Sequence, residues 1–93
     1  MRLRARGNTG FKNRVLDVVA EIPQGETRTY RQVAELAGSP DAYRAVGNIM
    51  KGNRNPNVPC HRVVKSSGEV GGYNAGGPRR KREILKSEGV LLA

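Results

Sequence analysis

The sequence predicts a mainly α-helical, winged-helix-like domain in which a helix-turn-helix is followed by a small β-hairpin. Three observations point there. Apolar residues recur at helical spacing in segments separated by Gly and Pro stops; two short β-branched or aromatic runs flank a Ser-Ser-Gly turn; and the outer stripe of the third helical segment is basic. The 93 residues suit one domain. A chain this short buries only about 60 to 65% of the surface its unfolded form exposes, so a single modest core is expected.

In "FKNRVLDVVAEI", Phe11, Val15, Val18, Val19 and Ile22 fall on one helical face. Asn8 or Thr9 is placed to cap its start, and Pro23 with Gly25 ends it in the turn "PQGET". Thr29 and Gln32 have the spacing of a capping box. Tyr30, Val33, Ala34 and Ala37 follow on one face of a short helix that Gly38 stops as a left-handed cap. For a third helix, Ser39 offers a cap, Pro40 suits the first helical position, and Asp41 complements the positive end of the helix dipole. Its apolar stripe is Ala42, Ala45, Val46, Ile49 and Met50, and its outer stripe is Arg44, Gly47, Asn48 and Lys51. Two short helices joined by a Gly-containing turn, the second with a basic outer face, describe a helix-turn-helix; a plain helical hairpin has a similar pattern.

Pro56 and Pro59 turn the next stretch away from helix. "HRVV" and "EVGGY" read as two short strands around Ser66, Ser67 and Gly68. Pro78 opens a last helix, with Ile84 and Leu85 inward and Gly89 at its end.

Seventeen Lys and Arg against eight Asp and Glu give a formal charge of +9. That balance favours a polyanionic partner, nucleic acid being the commonest, over a basic surface kept for solubility. A single cysteine forms no internal disulfide, so the chain reads as intracellular. "MRLRARGNTG" lacks the apolar stretch of a secretory signal, and no apolar run reaches membrane-spanning length.

The only cysteine and the only histidine are neighbours in "NVPCHRVV". A cysteine attacks as its thiolate, which nearby positive charge or a base favours, and His61 and Arg62 supply both in sequence. Adjacency alone does not make a pair, because successive residues of an extended segment point to opposite sides. A small buried hydrophobe is the competing reading for Cys60. A zinc site normally gathers four Cys or His ligands and only two such residues exist here, so no metal and no cofactor is expected. A papain-like protease has its histidine far along the chain from the cysteine, not beside it.

"IPQGETRTYRQVAELAGSPDAYRAVGNIM", "PCHRVV", "SSGEVGGYNAGG" and "ILKSEG" together resemble the DNA-binding domain of the O6-alkylguanine-DNA alkyltransferases, the methylated-DNA–protein-cysteine methyltransferases. The resemblance runs from about Phe11 to Val90, with the motifs in the family's order. It implies a DNA repair protein that takes the alkyl group from O6 of guanine onto Cys60, irreversibly and once per molecule. It makes His61 the base that draws the thiol proton through a water, Glu88 the carboxylate that orients the imidazole, and Asn53 a hinge whose side chain holds the backbone near the cysteine. The stretch from Asn53 to Cys60 is one residue shorter than the family's pattern, which leaves Asn55 as an alternative hinge.

Guanine inside a duplex hides its target atom, so the base must be rotated out at a cost of a few kcal/mol. The resemblance implies that this happens from the minor groove of double-stranded DNA. Arg44 fills the vacated stack, Tyr30 presses the 3' phosphate, and the helix carrying Ala45, Gly47 and Lys51 lies in the groove. Ala45 and Gly47 are small enough to admit a close approach. Met50, Val63, Tyr73 and Asn74 are implied around the flipped base; the loop "GGYNAGG" is one residue longer than usual and has Asn where many members have Ser.

The expected organisation is one domain over residues 1–93 with a basic arm at 1–9, acting as a monomer. The ribonuclease-H-like N-terminal domain common in full-length members is not expected within it. Two other readings stand beside catalysis. One is a noncatalytic alkyltransferase-like protein that binds the lesion and recruits other repair factors; such proteins typically carry Trp or Ala at the cysteine position. The other is a winged-helix regulator without damage specificity, which leaves "PCHRV" and Glu88 unexplained.

Overall fold

The computed structural model describes residues 10–73 and 76–91. The basic arm therefore lies outside the described residues, as does Asn74. In chain order the elements are α1 (Phe11–Ala20), β1 (Arg28–Thr29), α2 (Tyr30–Leu36), α3 (Tyr43–Gly52), a 3-10 turn (Cys60–Arg62), β2 (Val63–Val64) and α4 (Gly77–Ser87).

The apolar stripes read from sequence meet in one core. Val15, Val19 and Ile22 come from α1 and the turn after it, Val33, Ala34 and Ala37 from α2 and its cap, and Val46 and Met50 from α3; Val58 and Val63 close it. Phe11, Val18 and Ile49 pack at its margin. Gly10 occupies the N-cap of α1, with no side-chain cap bond, and the proposed caps Asn8 and Thr9 lie outside the described residues.

The α2 capping box forms as its spacing predicts: Thr29 Oγ1 accepts from Gln32 N at 3.0 Å and Gln32 Oε1 accepts from Thr29 N at 2.8 Å. Thr29→Ala is expected to lower stability by about 1 kcal/mol, a fall in Tm of about 4 to 8 °C for a domain of this size, read by thermal circular dichroism. Gly38 has φ +92°, the left-handed conformation that ends α2. The start of α3 differs from expectation. Ser39 to Ala42 form a turn closed by Ala42 N donating to Ser39 O at 2.9 Å, and the helix begins at Tyr43. Ser39, Pro40 and Asp41 thus belong to the turn of the helix-turn-helix, where Pro restricts the backbone before the helix proper.

The hairpin is corrected. The small sheet is present, but β2 pairs in parallel with β1, Arg28 opposite Val63 and Thr29 opposite Val64. The Ser66–Gly68 turn is where the sequence placed it, with Gly68 N donating to Lys65 O and Lys65 N to Glu69 O. Beyond Glu69 the chain is not a strand. Gly71 has φ +82°, which breaks an extended run, and a Cβ there would stand 3.1 Å from Tyr30 Oη, so the backbone presses close to that ring. Val63 needs a partner strand that leads it into the core, and the segment just before α2 provides it. Pro78 opens α4, Leu85 is fully buried and Gly89 follows the helix end. Among the described residues no helix is long and apolar enough to cross a membrane.

Candidate active site around Cys60

Asn53 ends α3 and organises the loop leading to the cysteine. Its Nδ2 donates to Asn55 O at 3.2 Å and Val58 O at 3.3 Å, while its Oδ1 accepts from Asn55 N at 3.1 Å. Val58 O also accepts from Cys60 N at 2.8 Å. A single side chain thus links the end of α3 to the carbonyl two residues before the cysteine. Asn55 Oδ1 instead caps its own loop, accepting from Asn57 N at 2.9 Å. Of the two hinge candidates, Asn53 has the bond that crosses the loop.

The 3-10 turn then sets Cys60 against the smaller cavity and sends His61 and Arg62 together to Glu88. His61 Nε2 lies 3.0 Å from Glu88 Oε2 across 27 residues of chain. Arg62 grips the same carboxylate with two N–H groups, Nε to Oε1 at 3.0 Å and Nη2 to Oε2 at 2.8 Å, and its Nη1 donates to Ile22 O at 2.8 Å. The side chains of this trio are only 13 to 15% exposed. The Arg62 hydrogen bond, reinforced by His61 and opposed by partial burial, holds the Glu88 carboxyl below its ordinary 4.5. An ionised Glu88 only accepts hydrogen bonds, so a neutral His61 carries its proton on Nε2. Nδ1 is then left as the acceptor, able to take the thiol proton directly or through a water.

Cys60 is half-buried and borders two cavities. The larger, about 750 Å³, lies on the relay side and is lined by Asn53, the loop 54–59, His61 and Arg62. The smaller, about 360 Å³, is lined by Tyr30, Gly47, Met50, Lys51 and Tyr73, with Asn48, Lys65 and Gly72 completing its wall. A volume near 300 Å³ is at the small end of ligand pockets, the range of a single ring system with a short substituent. Burial, the largest cause, and the nearby Cys60 charge both push the Tyr30 and Tyr73 phenols up from 10.0, so each stays a hydrogen-bond donor at neutral pH.

The residues expected at the site divide accordingly. Cys60, Tyr30, Gly47, Met50, Lys51 and Tyr73 share the smaller cavity. His61, Glu88 and Asn53 stand on the other side. Arg44 is exposed on α3 and Ala45 half-buried, away from the cavity lining. Val63 is 0% exposed and belongs to the core behind the site; it does not line the cavity, because pairing with β1 turns its side chain inward.

Two residues were missed. Arg62 was read only as local positive charge, and nothing short-range in the sequence signals its grip on a carboxylate 26 residues on. Lys81 drew no reading of its own in sequence, yet it is 1% exposed and donates to Tyr30 Oη at 3.3 Å. The signal was available: Lys81, Leu85 and Glu88 fall at helical spacings of four and seven, on the inward face of α4.

Comparison with known proteins shows the family to which this fold belongs. Residues 10–90 match the family described as 6-O-methylguanine DNA methyltransferase, DNA binding domain. A methylated-DNA–protein-cysteine methyltransferase of Methanothermobacter thermautotrophicus is 46% identical over 87 residues, covering 92% of this chain and 48% of that protein. The mouse protein of the same name is 51% identical over 67 residues, 71% of this chain and 32% of its own length. Among solved structures, Mycobacterium tuberculosis OGT in complex with DNA superposes with a TM-score of 0.79 at 43% identity, covering 94% of this chain and 51% of that one. Schizosaccharomyces pombe Atl1, in complex with damaged DNA containing O6-carboxymethylguanine, superposes with a TM-score of 0.78 at 34% identity, covering 98% and 82%. The chain spans about half the length of the first curated relatives it matches. With a matching profile over nearly all of the described fold, the chain belongs to the family of 6-O-methylguanine DNA methyltransferase DNA-binding domains.

Proposed function

We propose that this chain repairs DNA by taking the alkyl group of O6-alkylguanine onto Cys60, once per molecule. The observation that carries the reading is the position of Cys60 between a base-sized cavity on one side and the His61–Glu88–Arg62 network on the other. His61 takes the thiol proton, and Glu88, ionised and gripped by Arg62, holds the ring and stabilises the imidazolium that forms. The thiolate then attacks the alkyl carbon, and Tyr30, still protonated, donates toward the guanine oxygen as it leaves.

DNA delivers the base. α3 lies in the minor groove, its small residues Ala45 and Gly47 facing the groove wall and Lys51 a phosphate. Arg44 enters the stack in place of the rotated guanine, which seats against Met50 and Tyr73. The Asn53 bonds to Asn55 and Val58 fix the hinge between α3 and the cysteine, so that groove binding and the nucleophile keep register. Asn74, whose backbone amide would also donate toward O6, belongs to the same pocket. The protein works as a monomer in the compartment that holds the DNA.

The test is intact mass after mixing with an oligonucleotide that contains O6-methylguanine. One methyl is gained on Cys60, and Cys60→Ser gains none. Tight binding to the lesion without a mass change would favour the second reading, a damage-binding protein of the Atl1 kind, to which the superposition with Atl1 lends weight. Affinity for DNA is also expected to fall steeply with salt, with log K decreasing by about 0.9 per phosphate neutralised for each tenfold rise. Fluorescence anisotropy across a salt series reads that slope, and Arg44→Ala leaves the slope nearly unchanged while reducing transfer, because Arg44 acts in the base stack and not on a phosphate.

A further inference from the structure

Among the described residues, Lys81 is the charged side chain that the fold buries most completely, at 1% exposure. Its ammonium donates to Tyr30 Oη at 3.3 Å and Gly72 O at 3.2 Å, and it stands 5.6 Å from the Tyr30 ring centre. These partners are neutral, and among the described residues no carboxylate is within ion-pair distance. Burying an ammonium without a counter-charge is costly. Its pKa accordingly drops from 10.5 to about 8, chiefly through burial.

Both partners of Lys81 are walls of the smaller cavity at Cys60, and so are Lys51 and Lys65, whereas among the described residues no Asp or Glu lines it. Glu69 answers Lys65 at 3.6 Å, but on the exposed side, where water weakens the pairing. With Lys51 assigned to a phosphate, Lys81 and Lys65 remain as positive charge that a neutral base with a neutral alkyl group does not use. Once His61 has taken the thiol proton, the negative sulfur of Cys60 favours the charged Lys81. Alkylation removes that negative charge.

We propose that the cavity at Cys60 selects O6 substituents bearing a carboxylate, of the carboxymethyl class, over neutral substituents of the same size, with Lys81 as the specificity-determining charge and Lys65 assisting at the mouth. The inference rests on the alkyl-transfer reading above and names its substrate class. In the step, the thiolate lone pair forms the S–CH2 bond and the CH2–O6 bond breaks, leaving its electron pair on guanine. The thiol proton held by His61 is matched by the one guanine takes up, so thiol plus O6-carboxymethylguanine gives S-carboxymethylcysteine plus guanine. Methyl transfer leaves a neutral thioether beside Lys81. Carboxymethyl transfer leaves an anion there, which restores the counter-charge.

The single cysteine permits a test without DNA. Iodoacetate and iodoacetamide deliver the charged and neutral forms of one substituent, and their second-order rates with Cys60 are followed by intact mass. The same thiolate attacks the CH2 of both and displaces iodide, so the thiolate fraction cancels in the ratio of rates. The iodoacetate-to-iodoacetamide ratio is expected to exceed that of N-acetylcysteine by about tenfold or more, the lower end of electrostatic enrichment in a charged cleft. Lys81→Met returns the ratio toward the free-thiol value, and Lys65→Gln lowers it in part. A wild-type ratio equal to that of N-acetylcysteine overturns the proposal, whether or not Lys81→Met folds. A second arm compares oligonucleotides carrying O6-carboxymethylguanine and O6-carbamoylmethylguanine. Faster transfer from the charged lesion supports the proposal, and equal rates overturn the selectivity alone. Transfer from neither, nor from O6-methylguanine, overturns the repair reading beneath it.

Discussion

Glu88→Gln is expected to slow single-turnover alkyl transfer by about a hundredfold, the lower range of a general acid–base contribution. The amide keeps an oxygen that His61 Nε2 can reach, so the ring keeps its orientation. It loses the negative charge that stabilises the imidazolium, and its NH2 points a donor at Arg62 or His61. Arg62, with a side chain only 15% exposed, then keeps one partner, the Ile22 carbonyl. Removing one member of a largely buried ion pair costs about 3 kcal/mol, so the variant is also expected to melt earlier. Rapid-quench transfer rates and thermal unfolding separate the two effects, because the rate is measured on the folded fraction.

The same carboxylate sets an acid dependence. Its pKa is lowered in the folded state, first by the Arg62 hydrogen bond, so folding favours the ionised form. The unfolded chain binds more protons as pH falls through this region, and stability falls with it. The Glu88 contribution is therefore complete above about the ordinary value of 4.5 and is lost as pH drops through the lowered folded value. In Glu88→Gln that loss is absent, so the Tm difference between wild type and variant should narrow with acidification.

Leu85→Ala is expected to destabilise by about 3 kcal/mol, a transfer loss plus a cavity at a fully buried position. In a domain of this size, with a total of roughly 5 to 14 kcal/mol, that is a fall in Tm of about 12 to 24 °C. The position also bears on the site. The Leu85 carbonyl accepts from Glu88 N at 3.1 Å and Val90 N at 3.0 Å, so the turn that presents Glu88 closes over this residue. Transfer by Leu85→Ala should be near wild type at about 10 °C and collapse as the temperature approaches its midpoint. A rate deficit undiminished in the cold would mean that the side chain positions Glu88 beyond holding the fold.

The signals that proved legible in sequence are local ones. A capping box spans four residues, Thr29 to Gln32, and both of its hydrogen bonds are set within that span. The stripes of α1, α2 and α3 repeat every turn, and their buried members are those the period selects. Gly38 and Pro78 act on the backbone angles of their own positions. Pairing Cys60 with His61 and Glu88 came from the resemblance of several motifs in order, not from any spacing rule.

What composition and periodicity determined about this protein is therefore its helices, its basic charge and one modest core. The tertiary structure decided the rest. β2 turned from a hairpin to a parallel partner of β1 because a strand takes whichever unpaired backbone the packed helices bring beside it, here from 35 residues upstream. Lys81 came to stand buried behind the cavity wall because the inward face of α4 is defined by what it packs against, and Tyr30 with Gly72 lay there to receive it. Arg62 became the clamp on Glu88 because the 3-10 turn delivers its guanidinium, together with the His61 ring, to the end of α4. Contacts of that kind join residues that share no local pattern, and only the folded chain brings their charges close enough to act on one another.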